Sequence, residues 1–127
     1  MRVQPRVAVA EDDADMRGLV ADVLRKDGYS VVELADGRGL RSELDEPSDG
    51  PLDLIVADVR MPIVSGIAVL RALREAGDAR PVVLMTAFAD ESVRSQAALL
   101  GAILFNKPFR LDDLRGAVRA LLARKGD

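Results

Sequence analysis

The sequence contains no cysteine and no histidine. Disulfides, thiol nucleophiles, thiolate or imidazole zinc sites and Ser-His-Asp hydrolysis are therefore excluded. Any metal held by this chain must be a hard, oxygen-liganded cation such as Mg²⁺ or Mn²⁺. No apolar run approaches the roughly 20 residues that span a bilayer. The polar start from Met1 to Arg6, which includes Pro5, does not follow the basic-then-apolar pattern of a signal peptide. A cytoplasmic protein without membrane contact is expected. An excess of positive charge is also missing. The net charge is −3, which argues against a dedicated nucleic-acid-binding module and predicts no direct nucleic-acid contact. Neither a repeat nor a linker interrupts the chain, and 127 residues suit one domain. Its ordered core is expected over about residues 5–123. With 49% apolar and 31% charged residues, the chain has material for both a core and a solvated surface.

Short apolar runs alternate with segments of helical period. Val7 to Ala10 reads as a buried strand, apolar on both faces. Met16, Leu19, Val20, Val23 and Leu24 then recur on one helix face, and Gly28 is a stop signal. Ser30 to Leu34 reads as a second strand, Arg38 to Leu44 as a short helix, and Asp45 to Pro51 as a loop. Leu54 to Ala57 is a third strand, and Ile67, Leu70 and Leu73 mark a helix that ends near Gly77. Pro81 opens a fourth strand, Val82 to Met85. Asp90 caps a helix with Val93, Ala97 and Leu100 inside. Ile103 to Phe105 is a short fifth strand. Leu111, Leu114, Val118 and Leu121 line a last helix, and the polar tail Arg124 to Asp127 is expected to fray. Strands apolar on both faces and separated by helices imply an α/β fold, with a parallel sheet covered on both sides and right-handed crossovers. The chain is too short for an eight-fold barrel. An open doubly wound sheet of five strands remains, and such sheets bind ligands beyond the carboxyl ends of their strands.

The polar residues that follow the strands test this rule. Glu11, Asp12 and Asp13 come after the first strand, Asp58 after the third, Thr86 at the end of the fourth and Lys107 after the fifth. All fall on one edge of the sheet, and Glu11, Asp12 and Asp58 should converge at its switch point. Crowded carboxylates repel unless a cation intervenes, and a divalent ion resolves the repulsion. A carboxylate, a metal, a lysine and a hydroxyl together suit phosphoryl transfer, which needs positioning and charge neutralisation. Asp58 is then the nucleophile. The cation and Lys107 neutralise phosphoryl oxygens, and Thr86 hydrogen-bonds one of them. Taken singly, each residue has a plainer reading as a cap, a turn hydroxyl or a solvated charge. Asp13 and Asp15 fit that reading; the coincidence of the other five at one edge does not.

These residues resemble the receiver domains of bacterial two-component response regulators, over nearly the whole chain. Glu11-Asp12 is similar to the family's metal-binding pair, with Asp12 the more direct ligand. Asp58-Val59-Arg60-Met61-Pro62, followed by Gly66, resembles the phosphoacceptor signature, with Asp58 at the phosphorylated position. Arg60 falls where the family supplies a backbone carbonyl to the metal. Thr86-Ala87 matches the switch hydroxyl and its small neighbour, and Lys107-Pro108-Phe109 matches the lysine and a proline that is usually cis. The resemblance implies a flavodoxin-like fold of strand order 2-1-3-4-5 and a switch phosphorylated with Mg²⁺ by a histidine kinase or a phosphotransfer protein. It implies no enzyme activity beyond the chain's own phosphoryl transfer and slow dephosphorylation. The output would be a downstream protein or a domain outside these 127 residues, and the face of the fourth helix, fifth strand and fifth helix could also pair two copies. Phe88 would shield the acyl phosphate from water; Arg60 also lies where dephosphorylation is tuned.

The resemblance departs in the fifth strand. The aromatic usual three residues before the lysine is Leu104 here; Phe105 follows it, and Gly101 to Lys107 is one residue shorter than usual. Phe105 takes the switch role if the strand carries a bulge; otherwise it is a core phenylalanine. The alternative function is an adaptor of the same fold that is never phosphorylated, but such an adaptor has no need of the acid pair, Asp, Thr and Lys together. A phosphatase with an aspartyl intermediate commonly shows Asp-x-Asp, and Asp58-Val59-Arg60 lacks the second acid.

Overall fold

A computed structural model describes residues 4–126. Five strands and five helices alternate: β1 (Arg6–Ala10), α1 (Ala14–Lys26), β2 (Ser30–Leu34), α2 (Gly37–Asp45), β3 (Leu54–Asp58), α3 (Gly66–Glu75), β4 (Val82–Thr86), α4 (Glu91–Leu99), β5 (Ile103–Asn106) and α5 (Leu111–Gly126). The strands form one sheet in the order β2-β1-β3-β4-β5, and every pairing is parallel. This is the doubly wound architecture that the strand and helix pattern predicts.

Successive side chains of a strand point to opposite faces, and this alternation divides the core. Ala8, Ala10, Ile55, Ala57 and Leu84 face a layer that holds Leu40 of α2, Leu70 and Leu73 of α3, and Val93 and Ala97 of α4. Val7, Val9, Leu54, Val56, Val83 and Met85 face Val20 and Leu24 of α1 and Leu114 and Val118 of α5. Burial on both faces explains why β1, β3 and β4 are continuous apolar runs. Each such Leu or Val removed from water contributes about 1.5–3 kcal/mol.

The helices begin where side chains can satisfy the first free N–H groups. Asp13 accepts from the N–H groups of Asp15 and Met16 at the start of α1, Asp36 from Gly39 at α2, Ser65 from Ala68 at α3 and Asp90 from Val93 at α4. Gly28 ends α1 in the left-handed region, as its position suggests.

The structure corrects several expectations. Leu19 lies at the flank of its helix stripe and is 52% exposed; it does not face the sheet. The short second helix starts one residue earlier and ends one later, at Gly37 and Asp45. Gly37 is required there, because an added Cβ would lie 1.8 Å from the Val64 carbonyl oxygen. α5 is helical through Gly126, three residues past the expected core boundary at Ala123, with Asp127 outside the described residues. Arg124 sits in its last turn, where cations interact favourably with the helix dipole.

Arg6, part of the polar start in the sequence, is the first residue of β1 and is buried. Its guanidinium bonds Glu43 at 2.9 Å, the Gly50 carbonyl at 2.8 Å and the Ser48 hydroxyl at 3.0 Å. Its backbone N–H donates to Asp53 at 2.7 Å. Burial works against the Glu43 carboxylate, but the Ser48 N–H, Arg6 and the Ser48 hydroxyl overcome it and hold its pKa below the usual value. This network closes the amino edge of the sheet, opposite the edge that carries the candidate site.

Candidate functional site

Strand geometry brings the acidic residues together. β1 and β3 are neighbours, so the turn after β1 and the last residue of β3 meet at the carboxyl edge. The Glu11 N–H donates to the Leu34 carbonyl at 3.0 Å, which extends the sheet one bond past β1. Glu11 and Asp58 are buried and Asp12 is exposed, and one carboxylate oxygen from each lies within 4.8 Å of the others.

Lys107 completes the cluster from the end of β5. Its Nζ donates to Glu11 Oε1 at 2.5 Å and to Asp58 Oδ2 at 2.5 Å. The Lys107 N–H donates to the Thr86 carbonyl at 2.7 Å, and the Lys107-Pro108 peptide is cis, as the resemblance implies. The other oxygen of Asp58 accepts from the Arg60 N–H at 2.9 Å, which holds the Arg60 main chain beside the cluster.

The loop after Asp58 is tightly built. The Gly66 N–H donates to the Val59 carbonyl at 3.0 Å. A Cβ at Gly66 would fall 2.2 Å from the Asp58 carbonyl oxygen, so a side chain cannot be accommodated. Between them, the Val64 N–H reaches the Pro62 carbonyl at 2.9 Å, closing a γ-turn around Ile63, whose φ is 74°. A γ-turn with positive φ is rare and strained, and for a β-branched residue the left-handed region is a true outlier. Ile63 is also 70% exposed.

Of the three carboxylates, Glu11 and Asp58 bond the Lys107 ammonium, and the acid–base properties follow. Burial pushes the Glu11 pKa up. Lys107 and the Asp13 N–H pull it back, while the Asp58 charge adds to the rise, and the net direction is upward. For Lys107, burial disfavours the charged form, but hydrogen bonds to Asp58 and Glu11 outweigh it and raise its pKa. The donor set is all oxygen, carries excess negative charge and sits at a half-open edge. It fits a hard divalent cation with water in its remaining positions.

Of the residues expected in the site, Glu11, Asp12, Asp58 and Lys107 are thus brought together, and Arg60 adjoins them through its backbone. Thr86 is at the same edge, fully buried, but its hydroxyl is engaged elsewhere: it accepts from the Phe88 N–H at 3.2 Å and donates to the Phe88 carbonyl at 3.3 Å. Phe88 itself is 62% exposed. Asp13 is a helix cap, as expected. Arg17, whose guanidinium donates to the Glu11 carbonyl at 2.8 Å, carries no motif that marks it; a single arginine in a helix reads as solvated charge.

The condition set for Phe105 is not met. β5 pairs with β4 in unbroken register from Val83↔Ile103 to Thr86↔Asn106, with no bulge. Leu104 therefore packs with the α2–α4 layer, and Phe105 with the α1–α5 layer. There its ring lies 5.5 Å from that of Phe109, tilted by 47°. Phe105 is a core phenylalanine.

Comparison with known proteins gives the family and the fold. The sequence model described as the response regulator receiver domain matches residues 7–119. The response regulator MprA of Mycolicibacterium vanbaalenii is 38% identical over 120 residues, which cover 94% of this chain and 51% of that protein. The sporulation initiation phosphotransferase F of Bacillus subtilis is 28% identical, with 96% of this chain and 97% of that one covered. Among solved structures, the receiver domain of the Francisella response regulator 1452 superposes with a TM-score of 0.87 at 26% identity, covering 96% of this chain and 99% of that one. The chain spans about half the length of the first curated relatives it matches.

Proposed function

The chain belongs to the response regulator receiver domains, and from that premise we propose that it is a switch of a two-component system, phosphorylated on Asp58. The observation that carries this reading is the meeting of the Glu11, Asp12 and Asp58 carboxylates with the Lys107 ammonium at one edge of the sheet. A carboxylate oxygen of Asp58 attacks the donor's phosphorus. A P–O bond forms as the bond to the donor's leaving group breaks, and the leaving group departs with the electron pair. Glu11, Asp12, Asp58 and the Arg60 carbonyl would hold Mg²⁺ or Mn²⁺, which supplies charge neutralisation for the phosphoryl oxygens.

The remaining steps belong to the chain's own residues. Lys107 moves from Asp58 to a phosphoryl oxygen, keeping its charge because its pKa is raised. Thr86 exchanges its bonds to the Phe88 backbone for one to the phosphoryl group. That exchange alters the β4–α4 loop and biases the face of α4, β5 and α5 toward a different partner or a second copy. Leu99 and Ile103 are exposed on that face. The phosphoryl donor is a histidine kinase or phosphotransfer protein. Beside Lys107, Met16, Leu19, Phe109 and Leu111 line an open groove of about 500 Å³, into which the apolar face of a donor helix fits. Among the described residues no helix is long and apolar enough to cross a membrane, in keeping with a cytoplasmic partner. The chain does not turn over a substrate beyond its own phosphoryl group.

Intact mass after incubation with Mg²⁺ and acetyl phosphate tests the reading. One added phosphoryl mass, absent from Asp58→Asn and absent when the metal is chelated, is expected. No addition with acetyl phosphate, phosphoramidate or a phosphorylated kinase would leave only the adaptor role.

A further inference from the structure

We infer that Arg17 is a positioning residue for the acidic turn Glu11–Asp13, and that it sets the affinity of that turn for a divalent cation. The inference rests on the metal-assisted reading above and adds to it a residue outside the acidic cluster.

Arg17 occupies the first turn of α1, where a positive charge opposes the helix dipole. Its side chain leaves the helix and reaches back to the Glu11 carbonyl at 2.8 Å. It is held in that direction by Glu33 on β2, whose Oε1 lies 3.6 Å from Arg17 Nε. Glu33 is itself fixed on its other oxygen by Arg25, at 3.0 Å, and Arg25 also bonds the Val31 carbonyl at 3.1 Å. A chain of charge thus runs from the edge strand to the acidic turn. Exposed ion pairs alone contribute little. The informative bond is the one from a charged donor to a main-chain oxygen, a stronger class of interaction.

That oxygen is well placed to matter. Glu11 is fixed on one side by its N–H to the Leu34 carbonyl. The Asp13 N–H donates to Glu11 Oε2 at 3.2 Å, and Asp13 caps α1. With Arg17 on the Glu11 carbonyl, the backbone before Asp12 is held from both directions. The three carboxylates repel one another, and Lys107 bridges only Glu11 and Asp58, so the placing of Asp12 within 4.8 Å of both depends on the backbone frame. Without Arg17 the turn is free to open and the carboxylates to spread, and a cation that needs them together must close the turn again.

Titration calorimetry with Mg²⁺ alone, on wild type, Arg17→Met and Arg17→Lys, tests this. Met keeps the alkyl packing and removes the donor; Lys keeps one donor and the charge. Arg17→Met is expected to bind Mg²⁺ about tenfold more weakly, corresponding to roughly 1.4 kcal/mol. Arg17→Lys should stay within about threefold of wild type. Should Arg17→Met melt too low for titration, Glu33→Gln, which loosens the guanidinium and leaves it present, must weaken binding by at least about twofold. Unchanged or tighter binding in Arg17→Met overturns the inference, since removing a nearby positive charge would then dominate. Equal loss in the Met and Lys variants overturns it as well. Failure of the wild type itself to bind Mg²⁺ removes the metal-assisted reading along with it, and the wild-type titration separates that outcome from the others.

Discussion

The two edges of the sheet treat buried charge in opposite ways. At the amino edge the Arg6 guanidinium meets the Glu43 carboxylate, the Ser48 hydroxyl and the Gly50 carbonyl, and the Arg6 N–H meets the Asp53 carboxylate. At the carboxyl edge Glu11 and Asp58 share one ammonium, with the Asp12 carboxylate beside them, and burial, with the Asp58 charge adding to it, raises the pKa of Glu11. The first arrangement is complete in itself. The second is left with surplus negative charge and so is shaped for something brought from outside. The paired network and the candidate site thus occupy opposite ends of the same strands: β1 carries Arg6 at its start and leads into Glu11 at its end.

The largest effect should come from unbalancing the complete edge. Arg6→Met leaves Glu43 buried without its cation and should cost about 3–5 kcal/mol, read by urea denaturation. The double variant Arg6→Met/Glu43→Leu should recover most of that loss. If the single variant is as stable as wild type, the two edges do not differ as described.

A smaller change of opposite sign is expected at the other edge. Glu11→Gln removes one of the three repelling charges, and without metal it should raise the Tm by a few degrees, on the order of 1 kcal/mol. The folded pKa of Glu11 lies above its ordinary 4.5. Wild type and variant should therefore converge below pH 4.5, where Glu11 is protonated in both states, and diverge as pH rises through the folded value. Glu43 behaves in the reverse sense: its pKa is lowered, so its contribution is present above 4.5 and lost as pH falls through the folded value. A Tm difference between Glu11→Gln and wild type that did not vary with pH would contradict the account.

The smallest effect concerns the strained turn. Ile63→Asn places a residue that tolerates the left-handed region at φ 74° and should gain up to about 1 kcal/mol. A loss of stability on this substitution would show that the exposed Ile63 side chain makes contacts that outweigh its backbone strain.

Much of this was legible in the sequence because its physics is local. Apolar runs such as Leu54 to Val56 can be buried on both faces only in a covered parallel sheet. Asp13 and Asp90 announce helix starts. The residue that follows each strand lands on the carboxyl edge by topology, which is why Glu11, Asp12, Asp58 and Lys107 could be named together. What escaped depends on contacts between distant segments. Arg6 finds Glu43 only once α2 is folded against the sheet. Arg17 reads as a surface charge until β2 places Glu33 beside it. Leu19 fits its helix stripe by spacing, yet stays exposed, lining the groove shared with Phe109 and Leu111. The loop after Asp58 hides its strain because φ at Ile63 is set by the Val64–Pro62 bond, not by the residue's own preference. Phe105 could be assigned only when the β4–β5 register was known, since a shift of one residue exchanges the faces of a strand.

Lys107 already donates to Glu11 and Asp58 at once, so a dication arriving among these oxygens would take over territory held by a tethered amine. Its observed affinity would be the difference between two ligations, one of them intramolecular. The tether makes the incumbent's effective concentration constant whatever the salt outside, and metal occupancy and lysine placement would then be two readings of one equilibrium.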